Sequence, residues 1–171
     1  MSLPSRKRAN PLSETFSYSK AIFLKDLTIY GNTYFSRFFD WQGEAREALL
    51  LKIMSSPSDL FNKRLKLVTL AASVKYMGEV NYGDTIIIDV IPSKITLTTI
   101  ELDFIYRKEK EGTDIAEGHQ RIGFTNRDGR ILPLPKILLA NGKKYLSKDA
   151  LDHVAVLERK LLWISEHSSL R

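Results

Sequence analysis

The sequence predicts an α+β domain in which one long central helix is wrapped by a curved antiparallel sheet. Three observations carry that prediction. First, Gly31–Arg46 (GNTYFSRFFDWQGEAR) places Tyr34, Phe35, Phe38, Phe39 and Trp41 within one short helical stretch. A helix this aromatic can form the centre of a small domain. Second, from Leu67 to Pro135 the chain alternates apolar and polar residues or runs β-branched, with turn residues between the runs. Third, the order is strand, helix, then a meander of strands, which is not the alternation of a parallel βαβ fold.

Taken in order, residues 1–14 are polar, contain two prolines and read as a mobile arm. Residues 15–171 form one domain. Phe16–Leu24 reads as a strand. Asn32 or Thr33 can cap the helix that follows, expected from Thr33 to about Met54. Phe35, Phe39, Gln42, Arg46, Leu49 and Ile53 recur every three or four residues and share one face. Phe38, Trp41, Ala45, Ala48 and Lys52 share the next. Ser55-Ser56-Pro57 ends the helix, and Pro57–Leu65 reads as a short second one. Leu67–Met77, Thr85–Pro92, Ile95–Tyr106 and Asp114–Asn126 read as strands. In the third of these, Ile100, Leu102, Phe104 and Tyr106 mark the core face. Lys108–Gly112 and Arg127–Arg130 are turns, Pro133-Leu134-Pro135 closes the sheet, and Leu151–His167 is a terminal amphipathic helix.

The bulk numbers narrow the function. At 171 residues, 43% hydrophobic and 27% charged, the chain is long enough to bury a real core. It has no cysteine, which excludes disulfides, thiolate metal sites and a cysteine nucleophile. No apolar run approaches the roughly 20 residues that span a bilayer. No apolar signal region follows the charged start, so a cytoplasmic protein with no membrane partner is expected. The net charge of +6 suits nucleic acid, an acidic carrier protein or coenzyme A phosphates. No dense basic stripe lies within a periodic segment, which argues against nucleic acid. His119, His153 and His167 are widely separated, so no metal site is expected. Neither GxSxG, a Walker sequence nor GxGxxG occurs.

The central motif resembles the hot-dog fold acyl thioesterases, specifically the 4-hydroxybenzoyl-CoA thioesterase-like group. The similarity is strongest to thioesterases of enediyne and polyene polyketide pathways. It rests on Gly31-Asn32-Thr33-Tyr34, Asp40-Trp41-Gln42-Gly43 and Arg46-Glu47. VKYMGEVNYGDTIIIDV, ELDFIYR and GRILPLP resemble later segments of the same group, so the likeness runs from about Phe16 to Leu139. It implies hydrolysis of an acyl thioester on an acyl-carrier protein or coenzyme A, and, in the polyketide subgroup, of a β-ketoacyl chain whose product can lose carbon dioxide. It also implies a homodimer, doubled to a tetramer, with the active site between subunits and no cofactor.

Residue by residue, the resemblance implies these roles. Arg46 matches an arginine that holds the substrate oxyanion or carboxylate, a role suited to a permanently charged fork of donors. Many relatives carry Asp-x-x-Gly ahead of the helix, and the matching position here is Thr28, so the usual carboxylate is missing. Asp26 lies two residues earlier. The amides of Tyr34 and Phe35 at the helix start are expected to polarise the carbonyl. Asn32, Phe38, Trp41 and Gln42 are expected to line the substrate, with Thr69 or Ser73 on the second strand offering a hydroxyl. Arg37-Phe38 stands where relatives read Asn-Tyr, and Asp40 where they read Arg. The plainer readings are that Arg46 pairs with Glu47, Asp40 or a strand carboxylate, that the aromatics are core, and that Glu44 and Glu47 are solvated. A non-catalytic acyl-binding module is the main alternative. A hot-dog dehydratase is weaker, for want of a His beside an acid.

Overall fold

The computed structural model describes residues 14–54 and 65–167. Residues 1–13 of the arm expected at 1–14 and most of the short helix expected at Pro57–Leu65 lie outside them. The elements are β1 (Phe16–Ala21), a 3₁₀ turn (Leu24–Asp26), α1 (Arg37–Ile53), β2 (Lys66–Tyr76), β3 (Thr85–Ile95), β4 (Thr99–Lys108), β5 (Asp114–Thr125), β6 (Ile131–Leu132), α2 (Lys136–Gly142), a second 3₁₀ turn (Lys143–Tyr145) and α3 (Lys148–His167). The antiparallel sheet runs β1-β3-β4-β5-β2, with β6 paired to β5. β2 is therefore an edge strand.

The helix sits against the sheet as the aromatic segment predicts. Phe38, Trp41, Ala45, Leu49 and Ile53 are buried, and so is the predicted β4 face of Ile100, Leu102, Phe104 and Tyr106. Phe38 packs on Trp41, Tyr76 and Tyr106, at ring separations of 5.0, 5.1 and 5.4 Å. The buried Tyr106 hydroxyl donates to the Phe38 carbonyl at 2.9 Å.

Several boundaries differ from the sequence reading, each for a local reason. α1 begins at Arg37 rather than Thr33. Asn32 does not cap it, because its side chain accepts the Thr28 hydroxyl. Thr33 does not either, because its hydroxyl donates to the Val80 carbonyl at 3.0 Å. Phe35 is consequently on a loop and exposed instead of sharing the buried helix face. β1 ends at Ala21, and Phe23 and Leu24 leave the sheet for the 3₁₀ turn. Ile95–Tyr106 is not one strand. The Thr96 hydroxyl accepts the amides of Thr98 and Thr99 at 3.3 and 3.0 Å and turns the chain between β3 and β4. α2 and its 3₁₀ turn were not anticipated. Their buried Leu138, Leu139 and Tyr145 close one end of the core. In α3, Val154 and Leu157 are buried as predicted.

Candidate active site

Most of the predicted site residues fall into two groups, one around Arg46 in the middle of α1 and one on the loop before α1. The first is built around Arg46. Its Nη1 donates to Thr69 Oγ1 at 2.9 Å and to Gln120 Oε1 at 3.2 Å. Its Nη2 lies 3.3 Å from Glu47 Oε1. The ion pair with Glu47 is thus present, but Arg46 is only 11% exposed while Glu47 is 66% exposed. The guanidinium is held inside and the carboxylate faces out.

Behind Arg46 runs a chain of amides. Gln120 Nε2 donates to Gln42 Oε1 at 2.9 Å, and Gln42 Nε2 donates to the Ser73 carbonyl at 3.0 Å. Gln42 is fully buried and Gln120 nearly so. Buried amides persist only when their polar atoms find partners, and here α1, β5 and β2 supply them to one another. Gly118 makes room for this: a Cβ there would stand 2.1 Å from Gln42 Nε2. Gln120 was missed by the sequence reading. The available signal was a glutamine at a period-two core position of β5, where a buried polar residue demands a partner.

Beside Arg46 lies an apolar cavity of about 30 Å³. Leu49, Leu50 and Ile53 of α1 form one wall, and Leu102 and Ile122 of the sheet another. Arg46 is the one charged residue lining it.

The second group surrounds the loop before α1. Thr28 and Asn32 close a tight turn. The Thr28 amide donates to the Asn32 carbonyl at 2.8 Å, and the Gly31 amide to the Thr28 carbonyl at 3.0 Å. Gly31 adopts φ 85, which glycine accepts without strain. The Thr28 hydroxyl donates to Asn32 Oδ1, so its proton serves the turn. Asp26 is buried and caps its own 3₁₀ turn by accepting the Phe23 amide at 3.1 Å.

Tyr34 requires a correction. Its amide donates to the Asp26 carbonyl at 3.2 Å and is not free. The amides of Phe35 and Ser36 donate to no backbone carbonyl among the described residues. The Phe35 carbonyl accepts the Tyr76 hydroxyl at 3.0 Å, which ties this loop to the far end of β2.

Ser73 is a second correction. Thr69 and Ser73 are four apart and share a face in a regular strand. The register shifts between Thr69 and Ala71. Thr69 then stands opposite the buried Ile122 and Ser73 opposite His119. Residues paired across strands point the same way. The Ser73 hydroxyl therefore leaves the helix side, and only its carbonyl joins the network. Phe38 and Trp41 are core residues, 3% and 1% exposed, and do not line the cavity. Glu44 is consumed on the β1 side by Lys20 at 2.7 Å and the Tyr18 hydroxyl at 3.0 Å. His119 lies on the sheet's other face, 2.7 Å from Asp103.

The two groups are not contiguous in one chain. Arg37 and Arg46 are separated by about 14 Å along the helix axis. Among the described residues no cluster of histidine and acidic side chains could hold a metal ion, and no helix is long and apolar enough to cross a membrane.

Comparison with known proteins puts this arrangement in context. A search of curated proteins gives no match. Solved structures with the same architecture include the dynemicin thioesterase, studied for polyene binding, at 21% identity and a TM-score of 0.73, over 78% of this chain and 98% of that one. They include a 1,4-dihydroxy-2-naphthoyl-CoA thioesterase from Synechocystis at 18% identity and a TM-score of 0.69, over 75% of this chain and 95% of that one. A Staphylococcus aureus protein solved in complex with CoA aligns at 14% identity and a TM-score of 0.73, over 78% and 85%. At such identities the likeness is one of fold, the hot-dog fold expected from the central motif. Residues 24–142 match the model of one family across most of the domain, and the chain belongs to that family, the Thioesterase-like superfamily.

Proposed function

We propose that this protein hydrolyses an acyl thioester carried on coenzyme A or on the phosphopantetheine arm of an acyl-carrier protein. The observation that carries the reading is Arg46: a nearly buried guanidinium, aimed by Thr69 and Gln120, at the edge of an apolar cavity. A cation in such surroundings stabilises an oxyanion far better than it would in water. Water adds to the thioester carbonyl, the developing oxyanion is stabilised, and the C–S bond breaks. The thiol leaves with the proton that water gives up, and the acid departs. Glu47, beside Arg46 and open to solvent, is the nearest carboxylate to receive that proton. Thr28 contributes by shaping the loop rather than as a base.

The separation of the two groups supports a site shared between two copies. β2 is an eleven-residue edge strand whose exposed Thr69, Ala71, Ala72 and Ser73 lack bulk that would block a neighbour. Antiparallel pairing of two β2 strands about a two-fold near Ala72 and Ser73 sets Thr69 of one copy opposite Tyr76 of the other. That brings Arg46 of one protomer toward the free Phe35 and Ser36 amides of its partner. A homodimer is therefore part of the proposal, with a dimer of dimers as its extension.

The test is thiol release from acyl-CoA and acyl-carrier-protein thioesters, β-ketoacyl chains included, by wild type and Arg46→Ala. A loss of tenfold or more, about 1.4 kcal/mol of transition-state stabilisation, supports the assignment. Turnover unaffected by the substitution keeps the hydrolase and removes Arg46 from its site. A second reading is favoured by the missing carboxylate at Thr28: a module that binds acyl thioesters without turning them over. Tight binding with no thiol release on any substrate would establish it.

A further inference from the structure

We infer that Tyr76 is a positioning residue for the hydrolysis: its hydroxyl fixes the peptide between Phe35 and Ser36 and so aims the Ser36 N–H as an oxyanion donor. This rests on the thioesterase reading. Tyr76 is the last residue of the edge strand β2, and its hydroxyl donates to the Phe35 carbonyl at 3.0 Å. That carbonyl has no helical partner. The Phe39 amide, which a regular helix would aim at it, goes instead to the Ser36 carbonyl at 3.0 Å, and the Asp40 amide joins it there at 3.3 Å. Among the described residues the Tyr76 hydroxyl is therefore the one hydrogen bond made by the Phe35–Ser36 peptide. Its neighbours are held in other ways, the Tyr34 amide by the Asp26 carbonyl at 3.2 Å and the Arg37 amide by the Tyr34 carbonyl at 3.0 Å.

A trans peptide unit is planar, so its carbonyl and its N–H point in opposite directions. Holding the Phe35 carbonyl toward Tyr76 thus turns the Ser36 N–H the other way, out of the helix start, where it meets no backbone acceptor among the described residues. Without the hydroxyl this peptide is free to rotate, because Tyr34 and Phe35 are 50% and 58% exposed and give it no buried anchor. Tyr76 itself is anchored: its ring meets Phe38 edge-on at 5.1 Å, and Phe38 is buried in the core. Tyr106 makes the same kind of bond nearby, to the Phe38 carbonyl at 2.9 Å. The amide on that second peptide is the Phe39 N–H, which is already bonded to Ser36. One tyrosine therefore aims a free donor, and the other only braces the helix.

The test separates kcat from KM in wild type, Tyr76→Phe and Tyr106→Phe, on the acyl-CoA that wild type turns over best. Light scattering checks that all three have the same assembly size, and urea midpoints report their stability. Tyr76→Phe keeps the ring on Phe38 and should lower kcat about tenfold with KM unchanged, because an aimed amide bonds the oxyanion more strongly than the carbonyl from which it grows. Tyr106→Phe should lower the urea midpoint and keep the wild-type kcat. An unchanged kcat in Tyr76→Phe, a change in KM alone, or equal losses of kcat in both variants would overturn the proposal and leave the hydrolase standing. If wild type releases thiol from no thioester, the thioesterase reading fails by itself, and the aim of the amide is read by nuclear magnetic resonance. The probe is the ketone analogue of octanoyl-CoA, with a methylene in place of the sulfur. A Ser36 amide proton that moves downfield with the probe in wild type and Tyr106→Phe, but not in Tyr76→Phe, would sustain the positioning role. A Ser36 signal that the probe leaves in place, or moves alike in all three proteins, would overturn it.

Discussion

The middle of α1 around Arg46 and the loop that leads into α1 are built on opposite principles. Around Arg46 the polar groups are side chains, buried and bonded in series: Arg46 to Gln120, Gln120 to Gln42, Gln42 to the β2 backbone. Before α1 they are backbone amides on a loop whose apolar side chains face water. Ile29 and Tyr30 at its tip are 93% and 88% exposed. The first is rigid because moving any member strands a buried polar atom. The second is positioned by short-range bonds within Thr28–Asn32 and by three tethers, through Thr33, Tyr76 and Arg37. A thioesterase site needs a fixed oxyanion donor and an open approach for a large carrier. The difference between the two divides those requirements, provided a second copy reunites them.

The largest expected effect comes from breaking the rigid network without touching its charge. Gly118→Ala drives a methyl into Gln42, which is bonded at both ends and cannot swing away, and brings it 3.3 Å from Phe104 Cβ. Urea denaturation should show a loss of about 2–4 kcal/mol. A loss under about 0.5 kcal/mol would mean the amide chain is slack.

Joining the two groups is tested by complementation. Arg46→Ala and Phe35→Pro, which deletes the free amide, should each be poorly active as homodimers. Mixed after unfolding and refolding, they should recover about a quarter of wild-type activity, since half the dimers are mixed and each carries one intact site. No recovery, with dimers demonstrated by light scattering, would place both halves of the chemistry in one chain.

A smaller effect is expected from Arg46→Lys. It keeps the charge but cannot bond Thr69 and Gln120 as a planar fork, and should lower kcat/KM about fivefold, near 1 kcal/mol. The rescue relative to Arg46→Ala then measures how much of the role is charge alone.

The smallest effect is alkaline. Burial raises the Tyr106 phenol above its ordinary 10.0, and burial and then the Glu44 hydrogen bond raise Tyr18. The unfolded chain gives up these protons first. Their contribution to stability is therefore complete below pH 10 and lost as pH climbs through the range above it. Tyr106→Phe should flatten that alkaline decline while removing about 1 kcal/mol at neutral pH with the Phe38 bond. An unchanged decline would point to other groups.

Helix and core face were legible because they are matters of period, whereas the expected meander missed that β2 crosses to the far edge beside β5. The spacing of Phe38, Trp41, Ala45 and Leu49 and the alternation of Ile100 to Tyr106 survive any neighbour. The position of Arg46 within its motif was equally plain. What failed was decided by competition for hydrogen bonds. Thr33 and Asn32 are good caps by residue type, yet each spends its side chain elsewhere, so α1 starts later and Tyr34 loses its free amide. Thr96 turns a run that alternates like a strand.

By itself, then, the sequence determined a central aromatic helix, a wrapping sheet, and an arginine, Arg46, well along that helix. Only the tertiary structure decided which hydroxyl faces it. One bulged residue sends Ser73 to the far side of the sheet and leaves Thr69 facing in, and parity along a strand cannot be read without its register. Only the structure brought in Gln120, because a contact between residues 74 positions apart in sequence exists only once the strands are paired. It also set the Arg46 network and the loop before α1 about 14 Å apart along the helix axis.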